Sequence, residues 1–128
     1  RLLLGVYPSF SMASGLEVAA LSHDPQVVQA YVDDPLVHDR VSPRLGIGLI
    51  DNGLWLLEHA GELALPLLIM HGGADRITSP EATRQFAQHV KGDCTLKIWE
   101  GLFHEVHNES QKDEVIATMI QWFQAHMR

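Results

Sequence analysis

The stretch that decides the fold is Leu65-Pro66-Leu67-Leu68-Ile69-Met70-His71-Gly72-Gly73-Ala74-Asp75, in which an apolar run ends at two glycines and an acid. A continuous apolar run of this length is typical of a strand buried on both faces of a parallel sheet. Pro66 stands near its start, where a missing N–H does least harm to strand pairing. The sequence therefore predicts a buried parallel strand followed by a polar loop.

Helical and strand patterns alternate downstream of this strand. Ser79-Pro80 predicts a helix start, because a hydroxyl cap precedes proline at the first helical position, and Gly92 predicts the stop. A second strand is expected from Thr95 to Trp99. Asn108 is expected to cap a last helix, with Gln111 completing a capping box. The order strand, helix, strand, helix predicts two parallel strands joined by a right-handed crossover.

The region upstream of Gly61 shows helical patterns and little strand signal. Asp24-Pro25 and Ser42-Pro43 each place a capping side chain before a proline and predict two helices. In the second helix, from Pro43 to Ala60, apolar residues lie on most of the circumference, so apolar material is expected on both sides. One interpretation is a helix buried in a core. The chain is divided into a helical region, 1–61, and a β-α-β-α region, 62–128.

Asp75 follows the first predicted strand and His104 follows the second. Loops at the carboxyl ends of parallel strands meet at one edge of a sheet, and neighbouring strands lie ~4.8 Å apart. An aspartate within reach of an imidazole fixes its tautomer, and the imidazole then takes a proton from a serine hydroxyl. From the residues alone, two other interpretations stay open: Asp75 organises a turn, and His104 is a surface or packing residue.

Composition excludes several classes of function. The formal net charge is −7, from 9 basic and 16 acidic residues, whereas nucleic-acid binding depends on clustered Lys and Arg. Cys94 has no partner for an internal disulfide and is compatible with a reducing compartment. The longest apolar run, Leu63 to Met70, is far shorter than the ~20 residues of a membrane helix. We expect a cytoplasmic protein with no nucleic-acid partner.

Other polar residues of the two loops have simpler interpretations. His104-Glu105-Val106-His107 is one residue short of the zinc signature His-Glu-x-x-His and precedes a helix, so neither a metal nor another cofactor is expected. His71 ends the first strand in the same crevice; a structural imidazole is favoured over substrate contact. Glu105, Asn108 and Glu109 are interpreted as groups that order the loop or cap the helix.

The segment from Leu65 to Glu109 resembles the monoacylglycerol lipase and lysophospholipase group of α/β-hydrolases, which is serine aminopeptidase S33-like. The matching motifs are Pro66-Leu67-Leu68-Ile69-Met70-His71-Gly72-Gly73-Ala74-Asp75-Arg76 and Gly101-Leu102-Phe103-His104-Glu105-Val106-His107-Asn108-Glu109. Leu21-Ser22-His23-Asp24-Pro25 and Tyr31-Val32-Asp33-Asp34-Pro35-Leu36-Val37 resemble its cap. The resemblance implies the C-terminal part of an α/β-hydrolase fold, a helical cap followed by a parallel β-α-β-α unit. It also implies that Asp75 is the triad acid and His104 the triad base.

The family's nucleophile has no counterpart in these 128 residues. None of the serines lies in a Gly-x-Ser-x-Gly turn: Ser9, Ser11, Ser14, Ser22, Ser42, Ser79 and Ser110. The resemblance implies the cap and C-terminal portion of a serine ester hydrolase for a monoacylglycerol or lysophospholipid-like substrate. On this interpretation the Pro43 to Ala60 helix is a lid that lines an acyl-chain tunnel, with peripheral membrane contact through the cap. The chain alone is expected to be inactive.

The alternative hypothesis is a non-catalytic binding or assembly module. Two parallel strands leave an open sheet edge, and an unpaired apolar edge pairs readily with another chain. This hypothesis predicts a homodimer, or a complex with a separate N-terminal fragment.

Overall fold

The computed structural model describes residues 10–127, so residues 1–9 of the predicted cap region, including Ser9, and residue 128 of the predicted core region lie outside it. An N-terminal part contains two short strands and two helices: β1 (Met12–Ala13), α1 (Pro25–Asp33), β2 (Arg40–Val41) and α2 (Pro43–His59). The elements that follow are β3 (Leu67–Gly72), α3 (Pro80–His89), β4 (Cys94–Trp99) and α4 (Lys112–His126). β1 pairs with β2 antiparallel, and β3 pairs with β4 parallel.

The predicted helix starts at Asp24, Ser42 and Ser79 are confirmed. The side-chain oxygen of each residue accepts a hydrogen bond from a backbone N–H of the first turn, at 2.8, 3.2 and 3.1 Å respectively. Each cap is followed by proline in the first turn of α1, α2 or α3. Local side-chain chemistry therefore decides where these helices begin.

The parallel strand pair is also confirmed. Its register runs from Leu67 opposite Cys94 to Gly72 opposite Trp99. β3 begins two residues later than the apolar run, because Pro66 has no N–H to donate, and the Leu67 N–H donates to the Asp93 carbonyl at 2.8 Å. The carboxyl ends of β3 and β4 consequently lie side by side.

The predicted cap at Asn108 is wrong. Residues Val106–Asn108 form a short 3-10 helix, and α4 begins at Lys112 with Gln111 at its N-cap and no side-chain cap. The Asn108 amide instead donates to the Glu105 carboxylate at 2.8 Å. The polar side chain that would have capped the helix is thus used inside the loop.

The core of the described chain lies below the carboxyl ends of β3 and β4. It consists of Trp99, Leu102, Val106 and Val115, with Met70 packed against it. α2 is outside this core: none of its residues is buried, and Leu49 and Ile50 are each 65% exposed. Within residues 10–127, the interpretation of α2 as a core helix is therefore wrong, because α2 packs on α3 and leaves much of its apolar surface uncovered.

Gly72 and Gly101 are required by the backbone geometry near the core. A Cβ atom at position 72 would lie 2.5 Å from the Leu102 carbonyl oxygen and closer still to that of Phe103. Gly101 has a φ of +81°, in the left-handed region that favours glycine. The backbone at the end of β3 therefore packs directly against the backbone of the loop after β4, with no side chain between them.

We predict that Gly72→Ala destabilises the chain by about 2–3 kcal/mol, because the added methyl has to displace backbone atoms. Gly48→Ala is the matched control: it lies within α2, where an added Cβ meets nothing within 4 Å. The control should be neutral or gain up to about 1 kcal/mol from helix propensity. Urea unfolding followed by circular dichroism measures both, and equal stability of the two variants would contradict the prediction.

Candidate active site

The loops after β3 and β4 are joined by backbone hydrogen bonds. The Gly73 N–H donates to the Trp99 carbonyl at 2.8 Å, and the Ala74 N–H donates to the Leu102 carbonyl at 3.0 Å. Asp75 therefore emerges directly beside the loop that carries His104. Main-chain hydrogen bonds therefore set the relative position of Asp75 and His104, and their side chains need not contact each other for this.

Asp75 and His104 lie within hydrogen-bonding distance, as their strand positions predicted. His104 Nδ1 is 2.8 Å from Asp75 Oδ2. The Asp75 side chain is 1% exposed, whereas that of His104 is 34% exposed. A buried carboxylate thus faces an imidazole that solvent or a substrate can reach.

Asp75 also organises the turn that follows it. Its Oδ1 accepts the backbone N–H groups of Ile77 and Thr78, at 2.7 and 3.1 Å. The Thr78 hydroxyl donates to Oδ2 at 2.7 Å. Turn formation and the contact with His104 therefore coexist, because the backbone N–H groups of the turn bind Oδ1 and leave room for His104 at Oδ2.

These contacts determine the ionisation of Asp75. Burial by itself raises the pKa of the carboxyl, but the hydrogen bonds from His104, Thr78 and the Ile77 N–H outweigh it and lower the pKa from 3.8 to about 2. Asp75 is therefore an anion throughout the neutral range. An anion here stabilises positive charge on the adjacent imidazole.

His71 contacts the same aspartate from β3. Its Nε2 lies 2.9 Å from Asp75 Oδ2, and its Nδ1 lies 2.8 Å from the Thr83 hydroxyl. Both ring nitrogens therefore have polar partners, in agreement with the favoured interpretation of a structural imidazole.

The His104 loop is attached to residues 20–23 of the N-terminal region. The N–H groups of His104 and Glu105 donate to the carbonyls of Ala20 and Leu21, at 3.3 and 2.8 Å. The Ser22 hydroxyl donates to the Asn108 carbonyl at 2.9 Å. Backbone pairing with a distant segment thus holds both sides of the histidine.

Glu109 is the second buried carboxylate of the site, at 1% exposure. It accepts the Phe103 N–H at 2.8 Å and the His23 N–H at 3.2 Å, and it contacts His23 Nδ1 at 2.9 Å. Burial raises the pKa of Glu109, but these contacts outweigh it and hold the pKa below its ordinary value. Its expected role in ordering the loop matches this geometry.

Sequence reasoning missed the aromatic stack above Glu109. The His23 ring stacks on Phe103 with centroids 3.6 Å apart, and the Arg76 guanidinium lies 4.8 Å from the Phe103 centroid. Arg76 also pairs with Glu17 at 2.7 Å. The Arg76-Phe103-His23 stack joins the loop after β3, the loop after β4 and the N-terminal region. No local sequence pattern predicts contacts between such distant residues.

His104 also borders an open cavity of about 800 Å³. Most of its lining is apolar: Leu68, Met70, Val106, Ile116, Met119 and Phe123. Within residues 10–127, no group of three or more His, Cys, Asp or Glu side chains is arranged to hold a metal ion. No helix in the same range is long and apolar enough to cross a membrane.

This arrangement of strands and helices matches solved α/β-hydrolases. The monoacylglycerol lipase of Paleococcus ferrophilus superposes with a TM-score of 0.93 and 33% identity, covering 98% of this chain and 49% of that one. A soluble monoglyceride lipase variant from Saccharomyces cerevisiae gives a TM-score of 0.85 at 24% identity, covering 98% of this chain and 47% of that one. The chain has the fold of the C-terminal part of an α/β-hydrolase, as predicted.

The chain belongs to the serine aminopeptidase S33 family, whose profile matches residues 1–111. The monoacylglycerol lipase of Mycolicibacterium smegmatis is 36% identical over 114 residues, which are 88% of this chain and 41% of the relative. The monoglyceride lipase of Rattus norvegicus is 33% identical over 112 residues, 85% of this chain and 36% of the relative. The chain thus spans less than half the length of these relatives, and the resemblance to monoacylglycerol lipases is confirmed.

We predict that Asp75 makes the chain sensitive to acid. A carboxyl whose pKa falls from 3.8 to about 2 on folding stabilises the native state above pH 3.8, and this contribution is lost as the pH falls towards 2. It amounts to on the order of 2 kcal/mol. Asp75→Asn should flatten the unfolding free energy between these pH values. Asp113→Asn, an exposed control, should leave the profile unchanged, and a wild-type profile for Asp75→Asn would contradict the prediction.

We also predict that Glu109→Gln locally loosens the loop after β4, which carries His104. Loss of the charged acceptor should reduce hydrogen-exchange protection of the Phe103 and His23 amides roughly tenfold. Glu114→Gln, on the exposed side of α4, should change neither amide. Hydrogen exchange followed by NMR resolves both sites; unaltered protection in Glu109→Gln would show that Glu109 does not hold this loop.

Proposed function

We propose that the chain is the cap and C-terminal portion of a serine ester hydrolase, with Asp75 as the triad acid and His104 as the triad base. The observation that carries the proposal is the 2.8 Å contact between Asp75 Oδ2 and His104 Nδ1 at the ends of neighbouring parallel strands. In this proposal residues 1–61 contain the cap and residues 62–128 belong to the hydrolase core.

The geometry suits general base catalysis. An ionised Asp75 accepts only, so the contacting Nδ1 of His104 carries a proton and Nε2 is left as a proton acceptor. Nε2 then takes the proton of a serine hydroxyl as the oxygen attacks the ester carbonyl, and returns it to the leaving alcohol. Asp75 stabilises the intermediate imidazolium. The serine and the oxyanion donors come from outside this sequence, which contains no Gly-x-Ser-x-Gly turn.

The proposed substrate is a small lipid ester such as a monoacylglycerol. Relatives named monoacylglycerol lipase support this class. The apolar residues that α2 leaves uncovered suit an acyl chain and peripheral contact with a membrane surface. A lysophospholipid would present the same acyl chain, with a different head group.

One experiment separates the contribution of this chain from that of the nucleophile. The purified 128-residue chain should show no hydrolysis of p-nitrophenyl esters, because no activated serine is present. Joined to a relative's N-terminal segment that contains a Gly-x-Ser-x-Gly turn, it should hydrolyse monoacylglycerol. Asp75→Asn and His104→Ala should then each lower kcat at least about a thousandfold.

His89→Ala and Asp113→Asn serve as controls, because neither side chain contacts the Asp75-His104 pair. Circular dichroism verifies that each protein is folded. Turnover by the isolated chain that disappears in His104→Ala would refute the predicted inactivity. Near-normal kcat in the folded Asp75→Asn fusion would refute the assignment of the acid.

The second candidate function is a non-catalytic assembly module. It is favoured by the edge of β3 opposite β4, which pairs with no other strand within residues 10–127. Such an edge accepts a strand from a second copy or from a separate N-terminal fragment. Light scattering of the purified chain tests this alternative: a well-folded monomer that binds no such fragment argues against it.

A further inference from the structure

Thr78 binds both oxygens of the Asp75 carboxylate. Its backbone N–H donates to Oδ1 at 3.1 Å, and its side-chain hydroxyl donates to Oδ2 at 2.7 Å. Oδ2 is also the oxygen that contacts His104 Nδ1, at 2.8 Å. The hydroxyl of Thr78 and the imidazole of His104 thus meet at one carboxylate oxygen, and the proposed function uses only the imidazole.

The contacts of the Thr78 hydroxyl determine where its single proton points. Three groups lie within reach of the hydroxyl oxygen: Asp75 Oδ2 at 2.7 Å, His71 Nε2 at 3.3 Å and His104 Nδ1 at 3.5 Å. The carboxylate is the nearest of the three and carries a negative charge, and charge-assisted hydrogen bonds are the short and strong ones. The hydroxyl proton therefore belongs to the bond with Asp75.

We propose that Thr78 is a positioning residue for the triad acid: its hydroxyl keeps Asp75 Oδ2 directed at His104. The proposal rests on the function proposed for Asp75 and His104. The terminal torsion of an aspartate is soft, so a carboxylate keeps one orientation only if neighbouring groups hold it. The N–H groups of Ile77 and Thr78 hold Oδ1, and by themselves they would let Oδ2 swing about that oxygen. The Thr78 hydroxyl opposes this motion, because rotation of the carboxylate breaks its bond to Oδ2.

The orientation of Asp75 in turn determines the tautomer of His104. With Oδ2 held in place, the Nδ1–H form of His104 has its hydrogen-bond acceptor, and Nε2 stays free to accept a proton. If the carboxylate turns away, the Nε2–H form becomes more populated and fewer molecules have a proton acceptor at Nε2. Thr78 thus acts on His104 through Asp75.

NMR of the 128-residue chain, labelled with ¹⁵N at histidine, measures the ratio of the Nδ1–H to the Nε2–H form of neutral His104. Thr78→Val removes the hydroxyl and keeps the branched shape, and it should lower this ratio roughly three- to tenfold, the effect of losing one hydrogen bond. A hydroxyl that only competed with His104 for Oδ2 would have the opposite effect, because its loss would strengthen the remaining bond and raise the ratio. Thr78→Ser keeps the hydroxyl and should hold the ratio within about twofold of the wild-type value.

Thr118→Val is the matched control, because the Thr118 hydroxyl donates to the Glu114 carbonyl within α4, outside both loops. It should leave the His104 ratio unchanged. An unchanged or raised ratio in folded Thr78→Val would overturn the proposal, and so would a ratio in folded Thr78→Ser as low as that of Thr78→Val. Thr78 is exposed, so its replacement removes no core side chain. If Thr78→Val nevertheless fails to fold, Thr78→Ala removes the same hydroxyl, and an unchanged or raised ratio there would overturn the proposal.

The same spectra distinguish this proposal from the function on which it rests. Asp75→Asn should lower the His104 ratio at least as far as Thr78→Val does. If Asp75→Asn leaves the ratio unchanged, Asp75 does not fix the base and the proposed triad role fails. If Asp75→Asn lowers the ratio and Thr78→Val does not, only the role of Thr78 fails.

Discussion

The bare backbone contact between Gly72 and the loop after β4 is the constraint on which the site depends. Without a side chain at position 72, the end of β3 comes against the carbonyls of Leu102 and Phe103. The hydrogen bonds of Gly73 and Ala74 to that region then form at normal lengths. The loops after β3 and β4 are consequently joined, and strand pairing sets the separation between Asp75 and His104. If the two loops were not joined, the 2.8 Å contact between Asp75 and His104 would have to be maintained by the side chains alone, at a cost in conformational entropy.

Two buried carboxylates complete this structure, and each is stabilised by donors from more than one segment. Asp75 is bonded within its own turn and by His104 of the loop after β4. Glu109 connects the loop after β4 to His23, 86 positions earlier in the sequence. An unpaired buried charge is costly, so each carboxylate favours the arrangement in which all its donors are present. The same contacts that lower the two pKa values therefore make the site a single arrangement of its loops.

The sequence predicted what local chemistry and periodicity determine. The caps at Asp24, Ser42 and Ser79 act within one helical turn, and the parallel strands follow from an apolar run and the order of elements. The expected cap at Asn108 was wrong because residues 106–108 form a 3-10 helix and α4 begins only at Lys112, so the Asn108 side chain belongs to the folded loop. The contact between Glu109 and His23 was inaccessible for a different reason: nothing in the spacing of two residues so far apart predicts that they pair.

The described residues bring Asp75 and His104 into contact independently of any nucleophile. The pair needs β3, β4, their two loops and residues 20–23, and all of these lie between residues 10 and 127. Tautomer selection at His104 is an equilibrium property of these residues, whereas hydrolysis also needs an activated serine and oxyanion donors. The positioning of His104 can therefore be measured separately from the rate of hydrolysis. Thr78 contributes to that positioning, because its N–H and its hydroxyl both donate to Asp75.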